Sequence, residues 1–234
     1  MENLSVIAAL VRHGKYEQPE GVPSAHLPYA LTPEGRASAH DLSDALLSIA
    51  RDRKHVLDET IDTSRMLRAY ETAAIVAERL FAGTGRKFTV EEFDALAERG
   101  LGAAANLTVS AIEAIVARDP RCAPLPPQWK YQSAFRLPFQ GAETLLEAGL
   151  RVARHLEERL RGLDAGKPVL KVFVGHGGAF RHAAVHLGLL SPEAAPRLSM
   201  WHARPILLER LAEGRWAHVG GEWKVREGSA ESAD

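Results

Sequence analysis

Two histidines follow runs of apolar residues, at positions where side chains often do chemistry. Residues 5–11 form the first run, and Arg12 and His13 come directly after it. Residues 168–174 form a second run, and His176 follows it after one glycine. Short apolar runs are typical of buried strands, and functional side chains in open α/β sheets follow the carboxyl ends of strands. If these two strands are parallel and adjacent, we expect the two imidazoles to meet beside a guanidinium that can bind an anion.

The elements that would position these residues alternate along the chain. The apolar spacing predicts helices at 33–53, 64–83, 109–118, 145–163 and 179–189, and further strands at 60–63, 87–93, 206–211 and 216–219. Thr32 is the predicted cap of the first helix, and Thr63 or Ser64 that of the second. This alternation predicts an α/β fold, a three-layer sandwich with a mostly parallel central sheet flanked by helices.

The chain is expected to form a single domain over residues 1–227, with a small lid insertion at about 103–141. Five prolines between 119 and 141 forbid a continuous helix. The same segment carries Trp129, Tyr131 and Phe135, and flexible linkers rarely contain so many aromatic residues. Residues 228–234 are small or acidic and are expected to form a disordered tail.

Composition excludes several classes of protein. The 234 residues include 29 Lys and Arg and 30 Asp and Glu, so the net charge is −1 and no overall field attracts nucleic acid or anionic membranes. Cys122 is the only cysteine, which excludes an internal disulfide and indicates a reducing compartment. We found neither a signal peptide nor an apolar run long enough for a membrane span. The expectation is a cytoplasmic protein with no nucleic-acid or membrane partner.

Several short motifs occur together in one order along most of the chain. They are Leu10-Val11-Arg12-His13-Gly14, Leu31-Thr32-Pro33-Glu34-Gly35, Thr63-Ser64-Arg65-Met66-Leu67-Arg68-Ala69, Leu96-Ala97-Glu98-Arg99-Gly100, Gly141-Ala142-Glu143-Thr144 and Val174-Gly175-His176-Gly177-Gly178-Ala179-Phe180-Arg181. Each motif alone is weak, but in this order and at these spacings they resemble the histidine phosphatase superfamily, which includes the cofactor-dependent phosphoglycerate mutases.

The resemblance implies a role for each matching residue. His13 matches the nucleophile that accepts the phosphoryl group, and His176 matches the second histidine of the pocket. Glu98 matches the acid that protonates the leaving group. Arg12 and Arg68 match the arginines that bind the phosphate, and Gly177 falls where a backbone N–H can face it. The resemblance requires no metal and no cofactor, and it makes a homodimer plausible.

The same residue types suit phosphoryl transfer on chemical grounds. A nucleophilic histidine must be neutral, and neighbouring arginines disfavour its protonated form. Guanidinium groups also bind two phosphoryl oxygens at fixed geometry and neutralise the charge of the transferring group. A covalent phosphohistidine divides hydrolysis into two easier steps. A carboxylic acid such as Glu98 can protonate the departing alcohol and then activate water.

Other assignments stay open at this point. Arg65 competes with Arg68 for the phosphate, and Glu91 and Glu92 compete with Glu98. Lys15, Tyr16 and His202 are candidates for the substrate rim. Further candidates for substrate contacts are Trp129, Lys130 and Arg136 of the lid. Arg181 is expected at the pocket rim or in a structural role, and His182 and His186 on an exposed helix face.

The reaction is expected to be phosphomonoester hydrolysis. Mutases of the family usually continue after Arg-His-Gly with an acidic residue, Ser or Thr and a later Asn, whereas this chain has Lys-Tyr-Glu-Gln-Pro at 15–19. The insert between Glu98 and Glu143 is also shorter than the basic lid of the mutases. The alternatives are a phosphoglycerate mutase and a catalytically silent binding module. The partner is expected to be a phosphorylated small molecule or a phosphopeptide.

Overall fold

The computed structural model describes residues 5–163 and 166–226, so the predicted tail at 228–234 lies outside the described residues. In chain order the α-helices and strands are β1 (Val6–Arg12), α1 (Pro33–Asp52), β2 (Val56–Ser64), α2 (Leu67–Thr84), β3 (Thr89–Phe93), α3 (Val109–Arg118), α4 (Leu145–Leu160), β4 (Val169–Gly175), α5 (Gly177–His186), β5 (Leu198–Ser199), β6 (Pro205–Arg210), β7 (Trp216–Gly220) and β8 (Lys224–Val225).

The central sheet has the strand order β3-β2-β4-β1-β6-β7. The neighbours from β3 to β1 are parallel, whereas β6 is antiparallel to both β1 and β7. The predicted α/β fold with a mostly parallel sheet is therefore confirmed. β1 and β4 lie side by side in a register that pairs Arg12 with Gly175. This register brings the residues that follow the two strands to one place at the edge of the sheet.

Alternate residues of β1 face opposite layers of helices. Ile7, Ala9 and Val11 belong to a buried cluster with the apolar residues of α1 and α2. Val6, Ala8 and Leu10 belong to a second buried cluster with those of α4 and α5. Strand side chains point to alternating faces, so a strand covered on both faces must be apolar throughout, and burying one leucine contributes about 1.5–3 kcal/mol. The sandwich is thus built on the continuous apolar run that the sequence displays.

The start of α2 differs from the prediction. β2 extends from Val56 through Ser64, longer than the predicted 60–63, and the helix begins only at Leu67. Its N-cap is Met66, which makes no side-chain capping bond, so the predicted caps Thr63 and Ser64 are wrong. The Ser64 hydroxyl instead accepts a hydrogen bond from the Met66 N–H over 3.3 Å, because pairing with β3 and β4 keeps Ser64 and its predecessors extended.

Other boundaries shift by a few residues. α4 ends at Leu160 instead of 163, and α5 spans Gly177–His186 instead of 179–189. The two-residue strands β5 and β8 pair with each other in a small separate sheet that the sequence pattern does not indicate. Their pairing brings the last described residues back over the central fold.

Residues of the insertion pack around a cluster of their own. This cluster joins α3 and the turn at Trp129–Tyr131 to the residues that flank the insertion. Trp129 is buried there, and its indole N–H donates to Glu113 over 3.3 Å. The prolines exclude long helices, as predicted, but apolar packing orders the segment.

One polar network is buried within the layers. Lys171 on β4 is 1% exposed and its ammonium lies 2.8 Å from an Asp62 carboxylate oxygen. The same carboxylate accepts hydrogen bonds from His155 at 2.9 Å and from Arg159 at 2.8 Å. These partners hold the pKa of Asp62 below its usual range against the effect of burial. A buried charge is tolerated when it is paired in this way.

The described helices give no indication of a membrane span. Across residues 5–163 and 166–226, none has both the length and the apolar composition that crossing a bilayer requires.

Candidate active site

His13 lies at the carboxyl end of β1, 1% exposed to solvent. Its Nδ1 is 2.7 Å from the Gly14 carbonyl oxygen. Because a carbonyl can only accept, Nδ1 must carry the proton, which leaves the lone pair on Nε2. Nε2 accepts a hydrogen bond from Arg68 Nε over 3.0 Å. The local backbone thus selects the tautomer whose free nitrogen could act as a nucleophile.

His176 follows β4 and lies against His13, with 5.1 Å between the ring centroids. Arg68 Nη2 is 3.3 Å from His176 Nδ1, and His176 Nε2 is 3.0 Å from the Ser64 hydroxyl. A guanidinium can only donate, so the proton of His176 lies on Nε2 and Nδ1 accepts. The two imidazoles therefore present lone pairs to one arginine between them.

Arg68 is fully buried and already has several acceptors. Besides the two histidines, it donates to the Leu27 and Ala25 carbonyls over 2.9 Å and 2.8 Å. Its guanidinium also stacks on Tyr16, 4.5 Å from the ring centroid. Arg65, the competing candidate, is exposed and lies 3.6 Å from Asp94 instead. Of the two arginines, the structure brings Arg68 to the histidines.

Both histidines are kept neutral by their surroundings. Burial is the largest cause that lowers the pKa of His13, followed by Arg68, His176, Arg12 and His202. Burial and then Arg68 also lower the pKa of His176. The arginines act in the predicted direction, but the loss of hydration has the larger effect.

Arg12 and the loop after β5 form one side of the site. Arg12 Nη1 donates to the Met200 carbonyl over 3.0 Å, and the Ala203 N–H donates to the Arg12 carbonyl over 2.8 Å. His202 on this loop has its ring centroid 5.6 Å from that of His13. The sequence motif near His202 therefore does lie beside the histidine pair.

The other two rim candidates lie elsewhere. Tyr16 is buried behind His13, with ring centroids 5.3 Å apart, and its hydroxyl donates to Ser24 over 2.9 Å. Lys15 is exposed and pairs with Glu34 at 2.7 Å. Tyr16 thus packs against Arg68, and Lys15 lines a different surface groove.

Glu98 is held at the amino end of α5. One carboxylate oxygen accepts the Gly178 N–H over 3.1 Å and the other accepts the Arg99 N–H over 2.8 Å. A Cβ on Gly178 would lie 2.7 Å from Glu98 Oε1, so only glycine allows this approach. Of the competing acids, Glu91 pairs with Arg159 and Glu92 is exposed on β3.

A cleft of about 600 Å³, including its open mouth, ends at these groups. His13, Arg12, Glu98 and Gly177 line it, whereas Arg68 and His176 are buried against His13 and are not among the lining residues. The remaining polar residues of the wall are Ser24, Arg99, Lys130, Tyr131, Arg181, Ser199 and Arg226. The wall is therefore strongly basic, with Glu98 as its acidic member among the lining residues.

The lid candidates divide into two groups. Lys130 lines the cleft, and so does Tyr131, whose ring lies under the Arg226 guanidinium at 4.8 Å. Trp129 is part of the insertion's core, and Arg136 pairs with Glu147. Aromatic and basic residues alternate in this part of the insertion, and both types occur in the cleft and away from it. The sequence pattern therefore could not show which of them line the cleft.

Several residues of the wall escaped sequence analysis. Arg99 follows Glu98 directly, so its place in the same motif was the available signal. Arg226 reaches the cleft only because β8 pairs with β5, which no local pattern reports.

The expected exposed face of α5 is only partly correct. Arg181 is buried, lines the cleft and donates to the Leu198 carbonyl, which fits both predicted roles. His186 is exposed, but His182 is fully buried between the Gly178 carbonyl at 2.8 Å and the Ser133 hydroxyl at 3.0 Å. The exposed placement of His182 is therefore wrong, because α4 and the insertion cover that side of α5.

Three buried histidines should make stability depend on pH. Burial lowers the pKa of His13 and His176 and lowers that of His182 to about 4, whereas an unfolded histidine titrates near 6.5. Below about pH 6.5 the unfolded chain binds protons that the folded chain excludes, so stability falls as pH decreases toward 4. We expect a loss of up to about 1.4 kcal/mol per pH unit for each histidine, measured by urea unfolding at pH 7.5, 6.5 and 5.5.

A His182→Gln variant provides the comparison. Its stability should fall less steeply than that of the wild type between pH 6.5 and 5.5, while the two curves run parallel between pH 7.5 and 8.5. Equal slopes in the lower interval would contradict the assigned effect of burial on His182.

The arrangement of the site fits binding and transfer of an anionic group. A neutral imidazole whose Nε2 accepts a hydrogen bond from Arg68 lies in the cleft with the Arg12 guanidinium and the Glu98 carboxylate. Within the described ranges, no group of three or more His, Cys, Asp or Glu side chains is arranged to hold a metal ion.

Comparison with solved structures finds similar folds among phosphatases and hydrolases. A mycobacterial glucosyl-3-phosphoglycerate phosphatase has a TM-score of 0.67 at 22% identity, over 94% of this chain and 98% of its own. A structure described as mycobacterial hydrolase 2 has a TM-score of 0.68 at 24% identity, over 96% and 94%. The α-ribazole phosphatase from Shigella flexneri has a TM-score of 0.67 at 17% identity, over 91% and 94%. At these identities the likeness shows a shared fold.

The family is established by sequence. No curated protein sequence matches the chain. The pattern of the histidine phosphatase superfamily (branch 1), however, matches residues 8–220, which confirms the resemblance inferred from the motifs. The chain therefore belongs to the histidine phosphatase superfamily.

Proposed function

We propose that the protein hydrolyses phosphomonoesters through a phosphohistidine on His13. The observation that carries this proposal is the His13 ring, which lines a basic cleft, is protonated on Nδ1 and has Nε2 hydrogen-bonded to the Arg68 guanidinium. Membership of the superfamily supports it, as do similar structures named as phosphatases.

In the first step, Nε2 of His13 attacks phosphorus, and the bond from phosphorus to the ester oxygen breaks. Arg12 and Arg68 neutralise charge on the phosphoryl oxygens. Arg68 Nε now donates to Nε2 itself, so the incoming phosphoryl group must take over this donor as the N–P bond forms. Glu98, at the wall of the cleft, gives a proton to the departing alcohol oxygen.

In the second step, water attacks phosphorus and the N–P bond breaks. Glu98, now a carboxylate, takes the proton from the attacking water. His13 regains its lone pair and inorganic phosphate leaves. Proton and phosphoryl group balance over the two steps, and the residues return to their starting states.

Hydrolysis is favoured over the mutase reaction by the segment after Gly14. Lys15 is paired with Glu34 at the surface, and Tyr16 is buried behind the nucleophile. Neither offers the cleft a polar group that would hold a sugar phosphate for return transfer.

The proposal is tested by assaying the purified protein in two ways. Phosphate release is measured on a panel of phosphomonoesters, and isomerisation is measured on 3-phosphoglycerate with 2,3-bisphosphoglycerate present. We expect phosphate release to exceed isomerisation. Faster isomerisation would identify a mutase, and the absence of both activities would support a binding module and contradict the proposal.

A further inference from the structure

His182 is a fully buried histidine of α5 that the proposed phosphoryl chemistry does not use. The first turn of the same helix carries Gly177 and Gly178, which line the cleft beside His13. The His182 ring lies between the Gly178 carbonyl at 2.8 Å and the hydroxyl of Ser133, in the insertion, at 3.0 Å. The histidine therefore connects a helix of the cleft to the insertion.

The two contacts fix the direction of both hydrogen bonds. A carbonyl can only accept, so His182 Nδ1 carries the proton and donates to Gly178. Burial lowers the pKa of His182 to about 4, so the ring is neutral near pH 7 and Nε2 keeps its lone pair. The Ser133 hydroxyl therefore donates to Nε2, and each ring nitrogen has a partner.

Close packing of α4 against α5 holds His182 in place. A Cβ on Gly149 of α4 would lie 2.3 Å from the carbonyl carbon of His182 and 2.5 Å from its Cβ. The two helices thus meet at this point with no side chain of α4 between them. Because helix packing sets the position of the His182 Cβ, the ring is a fixed anchor for the insertion.

Ser133 is attached to the helices at two points. Its hydroxyl bonds to His182, and its carbonyl accepts the N–H of Leu146, in the first turn of α4, over 3.1 Å. Lys130 and Tyr131 precede Ser133 by three and two residues and line the cleft. The position of these two side chains in the cleft is therefore coupled to the anchor at Ser133.

We propose that His182 is a positioning residue that sets the affinity of the cleft for the leaving portion of the substrate. It acts by holding Ser133 and, through it, the wall segment Lys130–Tyr131. The phosphoryl group is assigned to Arg12 and His13, so the wall segment is left to contact the rest of the molecule. This inference rests on the proposed function, because it concerns the substrate of the same site.

Binding of two phosphonates tests the inference without depending on hydrolysis. Methylphosphonate offers the cleft little beyond its anionic group, whereas phenylphosphonate adds a ring that represents a leaving portion. We expect Ser133→Ala to raise the Kd of phenylphosphonate at least fivefold in titration calorimetry and to change that of methylphosphonate less than twofold. Ser110→Ala removes an exposed hydroxyl of α3 from the same insertion and should leave both Kd values unchanged.

Two substitutions of His182 separate positioning from a general role in folding. Asparagine can donate to the Gly178 carbonyl in place of Nδ1 but offers Ser133 no acceptor, so His182→Asn should reproduce the effect of Ser133→Ala. Glutamine can place its amide oxygen near the position of Nε2, so His182→Gln should keep the Kd of phenylphosphonate within twofold of wild type. The double variant of Ser133→Ala and His182→Asn should be no weaker than either single variant, because both remove one hydrogen bond.

Several results would overturn the inference. They are equal Kd values of the two phosphonates in the wild type, an unchanged Kd of phenylphosphonate in Ser133→Ala, and an equal rise for both phosphonates in that variant. Failure of the proposed function has a different outcome. A protein that shows the expected Kd values but hydrolyses neither phenyl phosphate nor methyl phosphate would retain the positioning role of His182 and lack only the reaction.

Discussion

Replacement of His13 by asparagine is expected to reduce kcat/KM for every phosphomonoester by about 10⁴-fold or more. Removal of the nucleophile from enzymes that form covalent intermediates has effects of this size. Asparagine retains a polar side chain of smaller volume, but it lacks a nitrogen lone pair that can attack phosphorus. Because His13 Nδ1 donates to the Gly14 carbonyl, Nε2 is the nitrogen that carries the lone pair. The substitution removes this lone pair, so the effect should be on the chemical step.

The variant also reports on the intermediate. Rapid acid-free quenching of wild-type protein with a labelled phosphoester should give a protein-bound phosphoryl group that is labile to acid, and His13→Asn should give none. His186→Asn changes an exposed histidine and should retain both the label and the activity. Hydrolysis at the wild-type rate by folded His13→Asn, checked by urea unfolding, would contradict the assignment of the nucleophile.

Substitution of Glu98 by glutamine is expected to have an effect that depends on the leaving group. For alkyl phosphates, whose alcohol must be protonated as it departs, kcat should fall by about 10²–10⁴-fold. For p-nitrophenyl phosphate the leaving phenolate is stable without a proton, so phosphorylation of His13 should be reduced much less. The measurement is a burst experiment that separates phosphorylation from hydrolysis of the phosphoenzyme for both substrates.

The control for this prediction is Glu92→Gln, at an exposed acid on β3 that competed with Glu98 for the same role in the sequence. It should leave both rates at wild-type values. A uniform decrease for alkyl and aryl esters in Glu98→Gln would mean that Glu98 only positions Gly178 and Arg99, whose backbone N–H groups donate hydrogen bonds to its carboxylate.

The convergence of His13 and His176 was predictable from the sequence. Both follow apolar runs, and parallel pairing of β1 with β4 aligns the strand ends. The boundaries of α2 were less predictable, because Ser64 is a good cap by composition but is held in β2 by its neighbours. Local preference was there overridden by strand pairing.

The protonation state of His13 depends on how deeply the ring is buried, and the sequence alone does not show this burial. Arginines beside His13 indicated a neutral ring, yet loss of hydration is the largest single cause that lowers its pKa. Similarly, Arg226 and Arg99 are ordinary charged residues in the sequence, and only the three-dimensional path of the chain makes them walls of one cleft. Local sequence patterns therefore could not predict the contacts between segments that are distant along the chain.

The hydrogen bond between Arg68 and His13 has a consequence for selectivity. In the resting protein the lone pair of His13 Nε2, the nitrogen proposed to attack phosphorus, is shared with a cationic donor, and such bonds contribute about 1.5–3 kcal/mol. An uncharged electrophile does not compete with Nε2 for the Arg68 guanidinium, so the hydrogen bond to Nε2 would stay in place. In the proposed mechanism a phosphoryl dianion draws the donor away from Nε2 and frees its lone pair, so the substrate would itself activate the nucleophile.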